Sequence, residues 1–363
     1  MTLANLEKFS SYVREIDGEC TFVSIANDFL FSGSKNGQIA CWDIYSGIER
    51  WRFDFEGPCT DSDFNEEFLF FSESENIHAI RIDSGELFWS VRLEGSSDLV
   101  RVSDDYVWVT SSVYNFEIQD YSESSVWQID FDGNVRNVCG TQGRAWSLSS
   151  QQDKLLIGLS RPISGYAIMS NSGIEYPELE NRQPVTIGNE GRGDIVVLGH
   201  GNGMITEIVS HEVQSTFNVG GAVRAIDYFD GWVAGVDSGL VSSSESLGSW
   251  SVDLGGVIDV LRFGPSFESR KLIWAPSWRG GESAVVSLLD SNSGDVEMEV
   301  SHHSRIGCAS ANEEIICFGD ISGCINVIEE EVFRRRFSQP MEEIGNEDKS
   351  MEMRRKIRRL RGG

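Results

Sequence analysis

Five histidines, His78, His200, His211, His302 and His303, are the side chains of this sequence best suited to metal or acid–base chemistry. Their spacing assembles no site, because metal ligation wants two or three such groups a few residues apart on one face, or a histidine close to a cysteine. Only His302 and His303 are adjacent. Neighbours on a strand point to opposite faces, so the pair reads as part of an exposed turn. The seven cysteines, Cys20, Cys41, Cys59, Cys139, Cys308, Cys317 and Cys324, include no C-x-x-C pair. They are expected to stay reduced and to pack as small apolar residues. Two glycine-rich stretches, Gly199 to Gly203 and Gly188 to Gly193, sit between strand-like segments rather than ahead of a helix. The helix N-terminus that would draw a phosphate is therefore missing, and they read as a hairpin turn and a polar loop. No G-x-S-x-G elbow occurs, and carboxylates are too numerous for any two to be singled out as a catalytic pair. The expectation is a non-enzymatic protein with no catalytic residues, metal or cofactor.

The charge balance points to the partners. With 57 acidic and 30 basic side chains, the formal net charge is -27. Such a surface repels phosphate backbones and anionic lipid, which disfavours nucleic-acid or membrane binding by the body of the protein. From Val332 onward the balance reverses, with ten basic against five acidic residues, leaving 20 against 52 upstream. After Pro340 a polar stretch leads into MEMRRKIRRLRGG. There Met353, Ile357 and Leu360 stand at helical spacing, with Arg354, Arg355, Lys356, Arg358 and Arg359 around the other face. So short a segment does not hold a helix alone. It is expected to be a flexible tail that folds on a partner: the acidic body, nucleic acid or an anionic surface. The opening residues lack a signal-peptide pattern and no run of eighteen apolar residues occurs, so a cytoplasmic protein without a membrane span is expected.

A repeat positions everything else. Ser32 to Trp51 runs strand, turn, strand, Asp-containing turn, strand, and Ser72 to Trp89 runs the same way, with the Gly47/Trp51 spacing recurring as Gly85/Trp89. Eight such units follow one another, over residues 20–57, 58–95, 96–143, 144–183, 184–221, 222–256, 257–305 and 306–339. Each holds three or four short strands rich in Val, Ile, Phe and Trp between Gly/Asn/Asp/Ser turns, of which Asn36-Gly37 reads as a two-residue hairpin pair. Unit three carries an excursion around Tyr114 to Ser125 and unit seven carries insertions, which makes Tyr114, Phe267 and Trp278 candidate contact aromatics. Units of this length with no helix between them fit radial repetition. The predicted fold is all-β: a single β-propeller of eight blades, with seven as the alternative. The chain then divides into an N-terminal segment, 1–19, the propeller, 20–340, and a linker with basic tail, 341–363. Closing the ring needs an outer strand for the last blade, for which Tyr12 to Ile16 and Val332 to Phe337 compete.

The phrase SGSKNGQIACWD resembles the third-strand region of WD repeats. Asp43-x-x-Ser46-Gly47-x-x-x-Trp51 and Ser84-Gly85-x-x-x-Trp89 resemble the tryptophan-docking phrase of pyrroloquinoline-quinone-type propeller repeats. That resemblance implies that Trp51 and Trp89, with Gly47 and Gly85, are structural pins between sheets. Units three, four and seven keep the turn glycine, Gly133, Gly173 and Gly294, without the tryptophan. Quinone-dependent dehydrogenases also carry an adjacent-cysteine pair and a calcium-binding acidic cluster, and neither motif is present. The terminal Leu360-Arg361-Gly362-Gly363 resembles the diglycine tail of ubiquitin-like modifiers, which implies an activating enzyme as partner. Against it stands the absence of their compact β-grasp domain. The function expected is a protein-interaction scaffold with a recruiting or docking tail. The alternatives are diglycine activation of a propeller protein and a small-ligand or enzymatic propeller.

Overall fold

The computed structural model describes residues 3–151, 154–170, 172–178, 182–267, 270–281 and 283–337. Consecutive strands pair antiparallel into eight sheets, one per sequence unit. Blade 1 is typical: Cys20–Ala26 is innermost, followed outward by Phe29–Ser34, Gln38–Asp43 and Glu49–Asp54. In blades 1 and 2 the second and third strands are almost wholly buried, because both of their faces meet a neighbouring sheet. The inner strand of every blade lies beside that of the next, and the inner strand of blade 8, Ile306–Ala311, lies beside that of blade 1. The result is a closed ring of eight blades, not seven.

The core is correspondingly divided into eight apolar clusters, one at each blade-to-blade interface. Between blades 1 and 2, for example, Phe22, Phe31, Ile39 and Trp51 meet Leu69, Phe71 and Ile80. Since no sheet buries its own faces, each is stable only in the company of its neighbours.

An aromatic side chain on the outer strand fixes how one blade leans on the next. Trp51 Nε1 donates to the carbonyl of Ile82 in blade 2 at 2.8 Å, and Trp89 Nε1 donates to that of Phe131 in blade 3 at 2.8 Å. Each indole lies flat against the turn glycine that follows that carbonyl. A Cβ on Gly85 would stand 2.6 Å from Trp51 Cγ, and one on Gly133 would stand 2.8 Å from Trp89 Cγ. The glycine that receives an indole therefore belongs to the following repeat. Gly133 and Gly294, which are not followed by a docking tryptophan in their own repeat, receive one from the blade before. For Gly294 it is Trp250, whose Nε1 donates to Ser291 O at 2.9 Å.

The ring closes through the N-terminus. Tyr12–Glu15 is the outer strand of blade 8, antiparallel to Cys324–Glu329, with Tyr12 opposite Val327. Tyr12 takes the tryptophan's place at this junction: its hydroxyl donates to Ile44 O at 2.5 Å, and Gly47 lies against its ring. Ala4–Asn5 adds a parallel fifth strand to blade 7. Val332 to Phe337, the competing strand, instead belongs to a helix, Glu330–Phe337. Its acidic residues fall in the first turn and Arg334, Arg335 and Arg336 in the last, which suits the helix dipole. Phe333 and Phe337 share one face, and Phe333 packs on Trp274 and Phe9.

Two turns differ from expectation. Asn36-Gly37 belongs to a three-residue loop in which only Gly37 has a positive φ, +89°, so the hairpin is not of the two-residue kind. The excursion in unit three is no loop but a lengthening of the strands themselves, Tyr106–Asn115 and Asp120–Asp130.

If docking holds the blades together, Trp51→Ala should cost about 3–5 kcal/mol of unfolding free energy. Gly85→Ala, at a φ of +71° and with Trp51 in the way, should cost about 2 kcal/mol or more. Tyr12→Phe, which loses a hydrogen bond alone, should cost about 1 kcal/mol. Urea unfolding of the three variants checks the order.

Candidate functional site

Three polar assemblies and one apolar projection stand out among the described residues. The first assembly lies along the inner strands. An inner strand is a sheet edge whose outward N–H groups have no ladder partner. Here acidic side chains supply acceptors across the blade junctions. Asp61 Oδ2 accepts from Val100 N at 2.9 Å and Asp63 Oδ2 from Val102 N at 2.7 Å, both from blade 2 to blade 3. Glu190 Oε1 accepts from Ser150 N at 2.8 Å, and Asp227 Oδ2 from Phe263 N at 2.7 Å. Arg101 sits within this belt, 3.7 Å from Asp63 and 3.9 Å from Glu190, and donates to Leu148 O at 3.2 Å. Burial pushes the Asp61 carboxyl up to about 6, against the pull of Arg101, and raises Glu190 and Asp227 as well.

The second assembly corrects the expectation for His302 and His303. His302 ends the outer strand of blade 7, fully buried rather than in an exposed turn, and its Nε2 is 2.7 Å from Asp320 Oδ2 in blade 8. His303 Nε2 lies 3.6 Å from the same oxygen, because the strand ends there and no longer sends the two rings to opposite faces. The three donor atoms lie within 4.8 Å of one another. Two imidazoles and a carboxylate would suit zinc. However, Asp320 Oδ1 is taken by Ser322 N, Ser322 Oγ and Cys324 N, and His302 Nδ1 is buried with no acceptor to orient the ring for a metal. The group is read as a hydrogen-bonded clip between blades. Burial would raise the Asp320 carboxyl, but His302 and the turn donors outweigh it and hold the group below the usual carboxylate range.

Of the other histidines, two pair within their own blades, while His211 Nε2 is buried with no hydrogen-bond partner among the described residues. His78 pairs with Ser90 and Glu73, and His200 with Thr206, beside a cavity of about 610 Å³ between blades 4 and 5. Gly199 to Gly203 does make the expected hairpin turn, with Gly203 at a φ of +86°. Gly188 to Glu190 belongs to the inner strand of blade 5, and only Gly191 to Gly193 is loop.

The third assembly braces the projection. Arg144 in blade 4 pairs with Asp98 of blade 3 at 2.5 Å, donates to Tyr121 Oη at 2.9 Å and lies over the Tyr121 ring. Tyr121 meets Tyr114 edge-on, and Tyr114 meets Phe116 edge-on. This line of contacts carries the hairpin Tyr106–Asn115 and Asp120–Asp130 outward, on the face that bears the connections between second and third strands. At its tip Phe116 is 84% exposed and Ile118 60% exposed. Of the three candidate aromatics, Tyr114 is at this hairpin. Trp278 is half-buried at a strand end, its backbone paired with Val257, and Phe267 ends the inner strand of blade 7, far from Tyr114 in the ring order. The tail candidates, Arg354, Arg355, Lys356, Arg358, Arg359, Leu360, Arg361, Gly362 and Gly363, lie outside the described residues.

Eight radial sheets, seven of four strands and one of five, pinned by outer-strand aromatics and closed by an N-terminal strand, define an eight-bladed β-propeller. Residues 8–114, less than a third of the chain, match the pyrroloquinoline-quinone-type repeat family described as outer membrane protein assembly factor BamB. Solved structures with the same fold include Sqt1 of Saccharomyces cerevisiae, at 11% identity and a TM-score of 0.72, covering 90% of this chain and 99% of that one. BamB of Moraxella catarrhalis, at 12% and 0.67, covers 88% and 99%. The computationally designed Ika8 protein, at 17% and 0.64, covers 87% and 98%. At these identities the likeness is one of fold. No curated protein matches the sequence.

The belt carboxylates yield a pH prediction. The folded-state pKa of Asp61, about 6, lies above an unfolded value of about 3.9. Its charge therefore weakens the fold above about pH 6, and the penalty disappears below about pH 4. Asp61→Asn keeps an oxygen for the Val100 N–H. It should raise stability by about 1–2 kcal/mol at pH 8 and leave it unchanged near pH 4, as read from urea midpoints.

Proposed function

We propose that this protein is an interaction scaffold that grips another protein through the apolar tip of the blade 3 hairpin. The observation that carries this reading is Phe116 and Ile118, 84% and 60% exposed on an arm held in place by Arg144, Tyr121 and Tyr114. Bulky apolar groups at a tip lose nothing by staying in water only if they are few. Set on a braced arm beside a hollow of about 300 Å³, lined by Tyr114, Tyr121, Asp98 and Arg144, they form an anchor of the kind that dominates protein interfaces. The acidic body supports a protein partner over nucleic acid. Among the described residues no helix is long and apolar enough to cross a membrane. The belt carboxylates, the His302–Asp320 group and the Arg144–Asp98 pair are each explained by partners across a blade junction, which supports binding rather than catalysis as the work of the molecule.

The double variant Phe116→Ser, Ile118→Ser should lose at least tenfold in affinity for the physiological partner, identified by in-cell crosslinking. Its unfolding free energy should stay within about 0.5 kcal/mol of the parent, since both side chains are exposed. Unchanged crosslinking would remove the hairpin from the interface.

A further inference from the structure

Cys20 and Cys308 lie 288 positions apart in sequence, yet their sulfurs are 3.5 Å apart. Cys20 opens the inner strand of blade 1 and Cys308 lies in the inner strand of blade 8. We propose that these two thiols form a site of reversible oxidation, whose disulfide joins the first and last blades covalently and locks the ring.

Three independent observations meet here. The first is the approach itself: Cys308 Sγ also lies 3.6 Å from Cys20 O, so the sulfur reaches over the neighbouring strand and needs to move by only about 1.5 Å to bond. The second is the space. A Cβ on Gly319 would stand 2.4 Å from Cys20 Sγ and 2.7 Å from Cys308 Sγ, so the absence of a side chain there is what admits both sulfurs. The corresponding glycine of blade 1, Gly33, faces Cys59 and the ring of Phe22. The same niche between blades 1 and 2 thus holds one thiol and one phenyl group, and the seam holds two thiols.

The third is location. Blade 8 is assembled from both ends of the propeller, with Tyr12–Glu15 held to Cys324–Glu329 by strand pairing and packing, without a covalent link. Detaching that strand opens the ring. A Cys20–Cys308 bond lies inward of it and ties the blades directly, so the ring stays closed even with the outer strand released.

The chemistry needs an oxidant, and a hydroperoxide suffices. Cys308 is the less buried of the two, so its sulfur attacks the peroxide oxygen, giving a sulfenic acid and one water. Cys20 sulfur then displaces the sulfenic oxygen, forming the S–S bond and a second water. In sum two thiols and one hydrogen peroxide give one disulfide and two waters. The contact with Cys20 and burial both push the Cys308 thiol up, which keeps its thiolate scarce and makes the reaction slow near neutrality and faster as pH rises. Dithiol reagents reverse it by exchange.

The test uses the full-length protein treated with hydrogen peroxide, denatured with an alkylating agent and mapped by mass spectrometry. The expected result is one cross-linked peptide pair containing Cys20 and Cys308, two hydrogens lighter than the separate peptides and lost on dithiothreitol treatment. Oxidation should also raise the Tm of the parent by several degrees and leave that of Cys308→Ser unmoved. Recovery of both residues as alkylated thiols, or a disulfide that links any other pair, overturns the proposal, and so does a parent Tm that oxidation does not raise. The peptide map is read on the parent alone, so it decides the matter even if the serine variant folds poorly.

Discussion

The molecule depends on one recurring contact: an aromatic group on the outer strand of a blade hydrogen-bonds a turn carbonyl of the next blade and lies on the glycine beside it. Trp51, Trp89, Trp250 and Tyr12 do this at four of the eight junctions. The contact sets both the angle and the spacing between sheets, because the indole or phenol fills a slot that any side chain on the glycine would block. Elsewhere other groups fill the gap. Tyr176 accepts from Gln142 N at the blade 3 and 4 junction, Phe217 packs on Trp232 between blades 5 and 6, and Phe9 and Phe333 enclose Trp274 between blades 7 and 8.

Closure follows from the same constraint. A ring of sheets stable only in company cannot leave its ends apart, and here residues 4–15 serve two blades at once. Ala4–Asn5 extends blade 7, Leu6 and Phe9 enter the core beneath it, and Tyr12–Glu15 completes blade 8. The helix Glu330–Phe337 then covers this junction, with Arg336 donating to Lys8 O and Ser10 O. His302 and Asp320 tie the same two blades at the other end of the blade 8 strands. The junction of blades 7 and 8 is thus held by an N-terminal strand, a helix and a buried hydrogen-bonded clip together.

Much of this was legible in the residues. The period shared by Gly47/Trp51 and Gly85/Trp89, together with the turn glycines after it, favoured eight units, but left Tyr12 to Ile16 and Val332 to Phe337 both open as the closing strand. What stayed hidden were contacts made between repeats. Gly133 looks orphaned in its own repeat because its tryptophan comes from the blade before. Trp250 escaped notice because a 3-10 turn, Glu245–Leu247, brings it two residues after Gly248 instead of four. VFRRRF alternates like a strand, and only the slot already taken by Tyr12–Glu15 leaves Phe333 and Phe337 to pair across a helical turn. The belt carboxylates Asp61, Asp63, Glu190 and Asp227 were indistinguishable among 57 acidic residues until strand edges gave them donors.

The hairpin anchor proposed above needs a rigid ring, since an anchor is only as precise as the frame that carries it. Hydrogen exchange of the indole Nε1–H groups of Trp51, Trp89 and Trp250, followed by NMR in the native protein, tests that frame most directly. If docking holds the blades in register, these three protons exchange as slowly as the most protected inner-strand amides and are released only by global unfolding. Rapid exchange of the three indoles under conditions where the inner-strand amides remain protected would contradict it.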